Sequence, residues 1–200
     1  MDKDKFKQNL ISEPLEKVVA HWILEPLPVV FVDTPQFITW RMELANRLAV
    51  DSKNILIVGS SALGFSLNPQ NNFRAFNDQS DIDVAIVSNY YFTTAWREIR
   101  NLGAKRYRLT PKQRKSIDDH RARLIFWGTV ATDQLVPIFS FGKEWEDASI
   151  HMSKKEPTIG RQINYRLYMN YESLRAYHKN NLQKLKNQII SPAGGESELS

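Results

Sequence analysis

Two aspartates standing two positions apart in a strand-like apolar run constrain this chain more than any other feature. The run is SDIDVAIVS, residues 80–88. Because side chains alternate across a strand, Asp81 and Asp83 share one face. Aspartate is depleted in strands, and two carboxylates on one face repel each other and resist burial. The pattern indicates either an exposed edge strand, which a bare Asp-x-Asp favours, or a strand that holds a divalent cation.

A Gly-Ser-Ser sequence follows an earlier apolar run. NILIVGSSALG predicts a strand, a tight turn at Gly59 and a helix start. Such a turn could bind an anion through the Gly59 backbone, the Ser60 and Ser61 hydroxyls and the helix N-terminus. The lysine of a P-loop is missing. Taken alone, Gly-Ser after a strand is more typical of an ordinary turn.

A third acid, Asp133, stands in the apolar stretch ATDQLVPIF. The surrounding residues 123–140 predict one or two strands, bent near Gly128 or Thr132. Asp133 is then either a carboxylate on a later strand or a turn residue. The other acids between residues 118 and 147 lie in segments that are predicted to be surface helix or loop.

Composition excludes several classes of site. The chain has 200 residues and no cysteine, so disulfides, thiolate metal sites and a cysteine nucleophile are excluded, which fits a cytoplasmic location. The four histidines have no metal-type spacing, so no zinc site is predicted. No apolar run approaches 18 residues, so no membrane span is predicted.

The net charge of +5 is unevenly distributed. Segment 97–123 has ten Lys/Arg against three Asp/Glu, and segment 151–190 has eight against two. A basic surface around an acidic centre suits a polyanionic partner such as a nucleotide or a nucleic acid, tRNA included. Two solvated helix faces explain the same charge equally well.

The predicted fold class is α/β (α+β), with helices packed on a small mixed twisted sheet. Helical spacing predicts one helix over residues 11–24 with Ser12 as its N-cap, and one long helix or two in tandem from Thr158 to Ile190. The predicted organisation has four parts: an N-terminal helical segment 1–33, a core 34–150, a basic C-terminal helical segment 151–190 and a disordered tail 191–200.

The three features together resemble the DNA polymerase beta-like nucleotidyltransferase superfamily. That pattern is a strand ending in Gly-Ser before a helix, then Asp-x-Asp on a strand, then a carboxylate on a later strand. TDQLVPIF is similar to the third-acid stretch of the 2′-5′-oligoadenylate and cyclic-dinucleotide synthase branches, although Pro137 follows Asp133 by four positions rather than three. The resemblance covers about residues 36–140 and implies a nucleotidyltransferase core between the helical ends.

The resemblance implies a metal-dependent transfer of a nucleoside monophosphate from an NTP to a hydroxyl. Asp81 and Asp83 would bind two Mg²⁺ ions, or Mn²⁺, and Asp133 would hold the ion nearer the acceptor hydroxyl. Gly59 and Ser60 would hold the β- and γ-phosphates, with Ser61 as a further contact.

The sequence does not determine the acceptor or the partners of the protein. The acceptor would be a nucleic-acid end such as tRNA, a protein or a small molecule. Stand-alone members of the superfamily often belong to toxin–antitoxin or anti-phage systems, which adds a regulatory protein as a candidate partner. Arg166, Lys179, Tyr165 and Tyr168 are candidate phosphate or base contacts, although core packing is the favoured role of the tyrosines. The alternative function is a non-catalytic nucleotide-sensing or partner-binding module.

Overall fold

The computed structural model describes residues 1–191, a mixed α/β fold with eight α-helices and four strands. None of these helices is both long and apolar enough to cross a bilayer. The predicted disorder of residues 192–200 lies outside the described residues. The α-helices are α1 (Lys3–Ser12), α2 (Leu15–Val19), α3 (Thr34–Leu48), α4 (Ser60–Leu63), α5 (Asn89–Arg100), α6 (Pro111–Asp119), α7 (Gly142–Met152) and α8 (Tyr171–Ile190). The strands are β1 (Ile55–Val58), β2 (Ile82–Val87), β3 (Thr129–Ala131) and β4 (Ile163–Tyr168).

Shorter helical turns complete the described part of the chain. π-Helical turns follow α2 over Ala20–Leu24 and α6 over His120–Leu124. The 3₁₀ turns are Ser52–Asn54, Pro69–Asn71, Gly103–Arg108, Ile125–Trp127 and Val136–Ile138.

The four strands form one mixed sheet in the order β1-β2-β4-β3. β2 is antiparallel to β1 and parallel to β4, and β3 is antiparallel to β4. β2 is therefore an interior strand with hydrogen-bonded neighbours on both sides. The alternative of an exposed edge strand for the two aspartates is wrong.

The prediction of one long helix or two in tandem from Thr158 to Ile190 is also wrong for residues 163–168. Residues 163–168 form β4, an interior strand of the sheet, and α8 begins only at Tyr171, where the side chain of Asn170 accepts a hydrogen bond from Ser173 N at 2.8 Å. Ile163 and Leu167 match a helical stripe with Tyr171, but residues 163–167 alternate between buried and half-buried with period two. These residues form a strand because they hydrogen-bond to β2 on one side and to β3 on the other.

Two further sequence predictions are corrected. Ser12 ends α1 instead of capping a helix, and the next helix begins at Leu15 after Pro14. Within residues 123–140 only Thr129–Ala131 is a strand, because helical turns run up to Gly128. Gly128 ends them in the left-handed region (φ +63), which glycine enters at no steric cost.

Helices cover both faces of the sheet. Tyr165 of β4 packs against Trp145 of α7, with ring centroids 5.3 Å apart, on the face that carries the apolar side chains of β2. On the opposite face Tyr168 packs against Tyr177 of α8 at 5.8 Å. The first two helices lie against α8. The face under α8 is also the face that carries Asp83, because Asp83, Ala85 and Val87 alternate with the apolar set.

Candidate functional site

Gly59 joins β1 to α4 in a conformation that requires glycine. Its φ of +69 and ψ of −148 lie in a region that residues with a Cβ rarely enter. A Cβ built on Gly59 would lie 2.6 Å from Oδ2 of Asp83. The glycine therefore lets the turn approach the carboxylate, and the sequence prediction of a strand, tight turn and helix is confirmed.

The two serines after Gly59 separate in the structure. Ser60 is half-buried and lines the same cleft as Gly59. Ser61 is fully buried, and its hydroxyl donates to the Val58 carbonyl at 3.1 Å, so it holds the turn together and does not face the cleft. The expected helix-dipole contribution is small, since α4 has only four residues.

Asp81 and Asp83 lie at the start of β2 and are held by both neighbouring strands. Asp83 pairs with Val58 of β1 and with Asn164 of β4. The Asn164 side-chain amide donates to Oδ2 of Asp81 at 2.6 Å. A neutral donor thus fixes one carboxylate while the other lies against the Gly59 turn.

The electrostatic environment of Asp83 is unfavourable for its charge. Burial, with a smaller contribution from the Asp81 carboxylate, raises the pKa of Asp83 from 3.8 to about 6. The Arg166 guanidinium opposes this rise in the pKa, and the Asp133 carboxylate adds to it. Four charged groups therefore act on one another at this site.

Arg166 projects from β4 on the same sheet face as Asp83. Its guanidinium lies 5.1 Å from the ring centroid of Tyr177 of α8, a cation–π distance. Its buried Nη1 has no hydrogen-bond partner among residues 1–191. A buried cationic donor without a partner, beside two carboxylates, is the feature expected of a group that contacts an anionic ligand.

Asp133 faces the same cleft but stands apart from the aspartate pair. It lies in an exposed turn after β3, so of the two predicted alternatives the turn is correct and the strand is wrong. Because β4 separates β3 from β2, and adjacent strands are spaced by about 4.8 Å, Asp133 lies two strands from Asp83. Within residues 1–191 no three His, Cys, Asp or Glu side chains are grouped closely enough to hold a metal ion. All three carboxylates line one cleft, and their shared binding of metal ions stays a prediction.

One cleft with a volume of about 570 Å³ is lined by the Gly59-Ser60 turn, the three aspartates and Arg166. The floor is the sheet face, one wall is the Gly59-Ser60 turn with the following loop, and the other wall is α8. Burial lowers the pKa of His178 on α8 to about 4, so its imidazole is neutral at pH 7. Besides the residues named above, the lining includes Ser66, Asn68, Asn71, Arg74, Arg123, Asn181 and Lys184.

Four residues near the C-terminus, Arg166, Lys179, Tyr165 and Tyr168, are predicted phosphate or base contacts, and the structure places them differently. Tyr165 and Tyr168 are buried, at 3% and 0% exposure, so the favoured role in core packing is confirmed. Lys179 pairs with Glu16 of α2 on the surface. Arg166 alone among the four places a charged group in the cleft.

Sequence reasoning missed the remaining cleft residues of β4 and α8. A helical prediction for residues 158–190 hides Asn164, which lies on β4, whereas His178 and Asn181 lie on the correctly predicted helix α8 in positions that no motif marks. The available signal was the alternation in INYRLY, which places Asn164 and Arg166 on one face of a strand.

The donor set fits a hard divalent cation held by the aspartate pair. Both donors are carboxylates, and Mg²⁺ is commonly held by one or two carboxylates with water and substrate phosphates in its other positions. A cation between Asp81 and Asp83 would also offset the cost of burial and, to a smaller extent, the repulsion from Asp81, which together raise the pKa of Asp83. The fit covers these two residues and does not extend to Asp133 as a shared ligand.

No protein-family model, no curated protein and no solved structure matches the chain. Support for a function therefore comes from the geometry of the cleft and from the resemblance of its motifs.

Proposed function

We propose that the protein is a cytoplasmic, metal-dependent nucleotidyltransferase that moves a nucleoside monophosphate from an NTP to a hydroxyl acceptor. One observation carries the proposal. The Gly59-Ser60 turn and the Asp81/Asp83 pair, 21 positions apart in the sequence, meet in one cleft with Gly59 directly against Asp83. A turn that approaches phosphates, next to two carboxylates on one strand face, is the arrangement that NTP chemistry needs.

Each side chain has a role in this reaction. The acceptor oxygen forms a bond to the α-phosphorus, the bond from that phosphorus to the β-phosphate oxygen breaks, and pyrophosphate leaves. Asp81 and Asp83 would hold Mg²⁺, which would supply charge neutralisation at the phosphates. Gly59 and Ser60 orient the terminal phosphates. Asp133 accepts the proton of the acceptor hydroxyl.

Arg166 complements the aspartate pair. Its guanidinium remains charged at any pH that the protein meets, and it acts on Asp83 across the sheet face. A cationic donor there stabilises negative charge that develops between the α-phosphate and the leaving group. Ser61, which is buried against Val58, has no part in this proposal.

The second candidate is a non-catalytic module that binds a nucleotide without turnover. The separation of Asp133 from the aspartate pair favours it, because such a module needs only the phosphate-binding turn and one cation site. Both candidates bind an NTP, so turnover is the property that separates them.

The decisive experiment measures label transfer. The protein is incubated with each α-³²P-labelled NTP, Mg²⁺ or Mn²⁺, and acceptors that include total tRNA and the protein itself. Asp81→Asn removes a proposed metal ligand, and Asp147→Asn, on the exposed face of α7, is the matched control. We expect Asp81→Asn to lower transfer by at least about 100-fold, and the control to retain wild-type transfer.

One outcome decides against the enzyme, and a second decides against the assigned site. Absence of transfer and of pyrophosphate release with every NTP, together with NTP binding in equilibrium dialysis, selects the binding module. Transfer that survives Asp81→Asn unchanged contradicts the proposed site.

A further inference from the structure

A second groove adjoins the acidic cleft and is predominantly basic. It has a volume of about 390 Å³ and runs along α6 and the π-helical turn that follows it. Its lining includes the exposed side chains of Lys112, Lys115 and Arg123. Lys112 and Lys115 stand three positions apart on α6, so they are neighbours on one helix face.

The groove and the cleft are continuous. Arg123, Asp133, Arg166 and Tyr177 line both of them. Asp133 therefore stands at the junction, with the aspartate pair on one side and the basic residues on the other. Its exposed turn leaves the Asp133 carboxylate accessible to an incoming acceptor.

We propose that this groove binds the phosphodiester backbone of a single-stranded nucleic acid and presents its terminal hydroxyl to Asp133. This inference rests on the proposed function and names the acceptor class of the same site. Four basic side chains in the groove face two acidic ones, Asp119 and Asp133. Phosphates of a strand end entering the junction would contact the lysines first and Arg166 last.

Nearby side chains support a nucleic acid over a protein acceptor. Arg123 lies 3.7 Å from Asp119 in an exposed pair, which is weak enough for a phosphate to replace. Phe126, three positions after Arg123, is 84% exposed, an unusual state for a large apolar ring. Phe126 does not line the groove itself, but basic side chains near an exposed aromatic ring are a combination that binds single strands, since a base can stack on the ring.

The test is a binding measurement that needs neither NTP nor metal. A fluorescein-labelled single-stranded RNA of about 12 nucleotides is titrated with protein by anisotropy at several salt concentrations in EDTA. The groove variant is Lys112→Ala/Lys115→Ala/Arg123→Ala. The control, Lys105→Ala/Arg108→Ala/Arg121→Ala, removes the same charge from exposed positions of segment 97–123 that do not line the groove.

We expect the groove variant to bind RNA at least about tenfold more weakly, and its log–log salt slope to fall by about 2, since each lost phosphate contact removes about 0.7. The control should stay near wild type. Equal losses in both variants, or no binding by the wild type, overturn the inference. A labelled poly-glutamate peptide that binds as tightly as the RNA also overturns it, in favour of a generic anion surface.

A second measurement uses the unaltered protein. Ultraviolet crosslinking to a bromouridine-containing RNA should place the crosslinked peptides in residues 111–127, and crosslinks confined to other segments contradict the groove. Failure of the inference is distinguishable from failure of the proposed function. Label transfer that continues in the groove variant, onto any acceptor, retains the enzyme and removes only this acceptor site. RNA binding that persists in a protein without transfer retains the groove and removes the enzyme.

Discussion

Replacing Asp83 by asparagine should stabilise the protein while it removes the proposed metal site. The raised pKa of Asp83 means that the folded state binds a proton more tightly than the unfolded state does. Ionisation of Asp83 therefore lowers the free energy of unfolding at pH values above about 6 and has no effect below about 3.8. Between these two pH values the loss in the free energy of unfolding grows as the pH rises.

The magnitude follows from the two pKa values. A rise from 3.8 to about 6 corresponds to roughly 3 kcal/mol of destabilisation once Asp83 is ionised in both states. Asp83→Asn keeps the shape of the side chain without the charge. We expect a gain of about 3 kcal/mol at pH 8, or about 6–12 °C in Tm for a chain of this size, that falls towards zero near pH 4.

The assay is urea unfolding in EDTA across pH 4–8 for wild type, Asp83→Asn and the exposed control Asp147→Asn. Saturating Mg²⁺ should raise the stability of the wild type at pH 8, because a ligand that binds only the folded state stabilises it, and should leave Asp83→Asn unchanged. The electrostatic reasoning is refuted if Asp83→Asn does not raise the free energy of unfolding at pH 8, or if it raises it equally at pH 4 and pH 8.

Three further predictions concern the turn, the guanidinium and the acidic junction. Gly59→Ala should destabilise the protein by about 1–3 kcal/mol more than Gly160→Ala. Both glycines have a positive φ, but only at Gly59 would the Cβ meet Asp83. Equal losses in the free energy of unfolding, measured with urea, would exclude the contact. Arg166→Met should raise the pKa of Asp83 above about 6, because a nearby positive charge is lost; carboxyl NMR titration measures this, and a lowered pKa would contradict it. Asp133→Asn should reduce label transfer while the Mg²⁺-induced stabilisation stays at the wild-type value, and loss of that stabilisation would make Asp133 a metal ligand after all.

The parts of the site that are local in sequence could be predicted from it. The turn at Gly59 is encoded by an apolar run that ends in a small flexible residue, and the shared face of Asp81 and Asp83 follows from strand geometry alone. What the sequence could not supply was the environment of those aspartates. Whether β2 is an edge or an interior strand depends on pairing with residues about 80 positions away.

The missed strand shows why local pattern is insufficient here. In residues 163–174 the apolar positions satisfy helical spacing, and the first six also alternate as a strand does. Only hydrogen-bonding partners on both sides separate the two interpretations. The role of Ser61 was equally hidden, since a serine after Gly-Ser can face a ligand or, as here, bond to the Val58 carbonyl.

The interior position of β4 makes the site depend on a strand that is synthesised about 80 residues after the aspartates. Ile82 pairs with Ile163, so the strand that carries the aspartates waits for its parallel neighbour while about 80 further residues are made. Long-range parallel pairing forms slowly, because the chain loses the entropy of closing the intervening loop before the stabilising contacts between the strands are made. A nascent chain that stops before residue 163 has the aspartates and the Gly59 turn, but neither Asn164 nor Arg166. Assembly of the cleft thus requires synthesis of β4, and no fragment of the chain that ends before residue 163 would contain an assembled cleft.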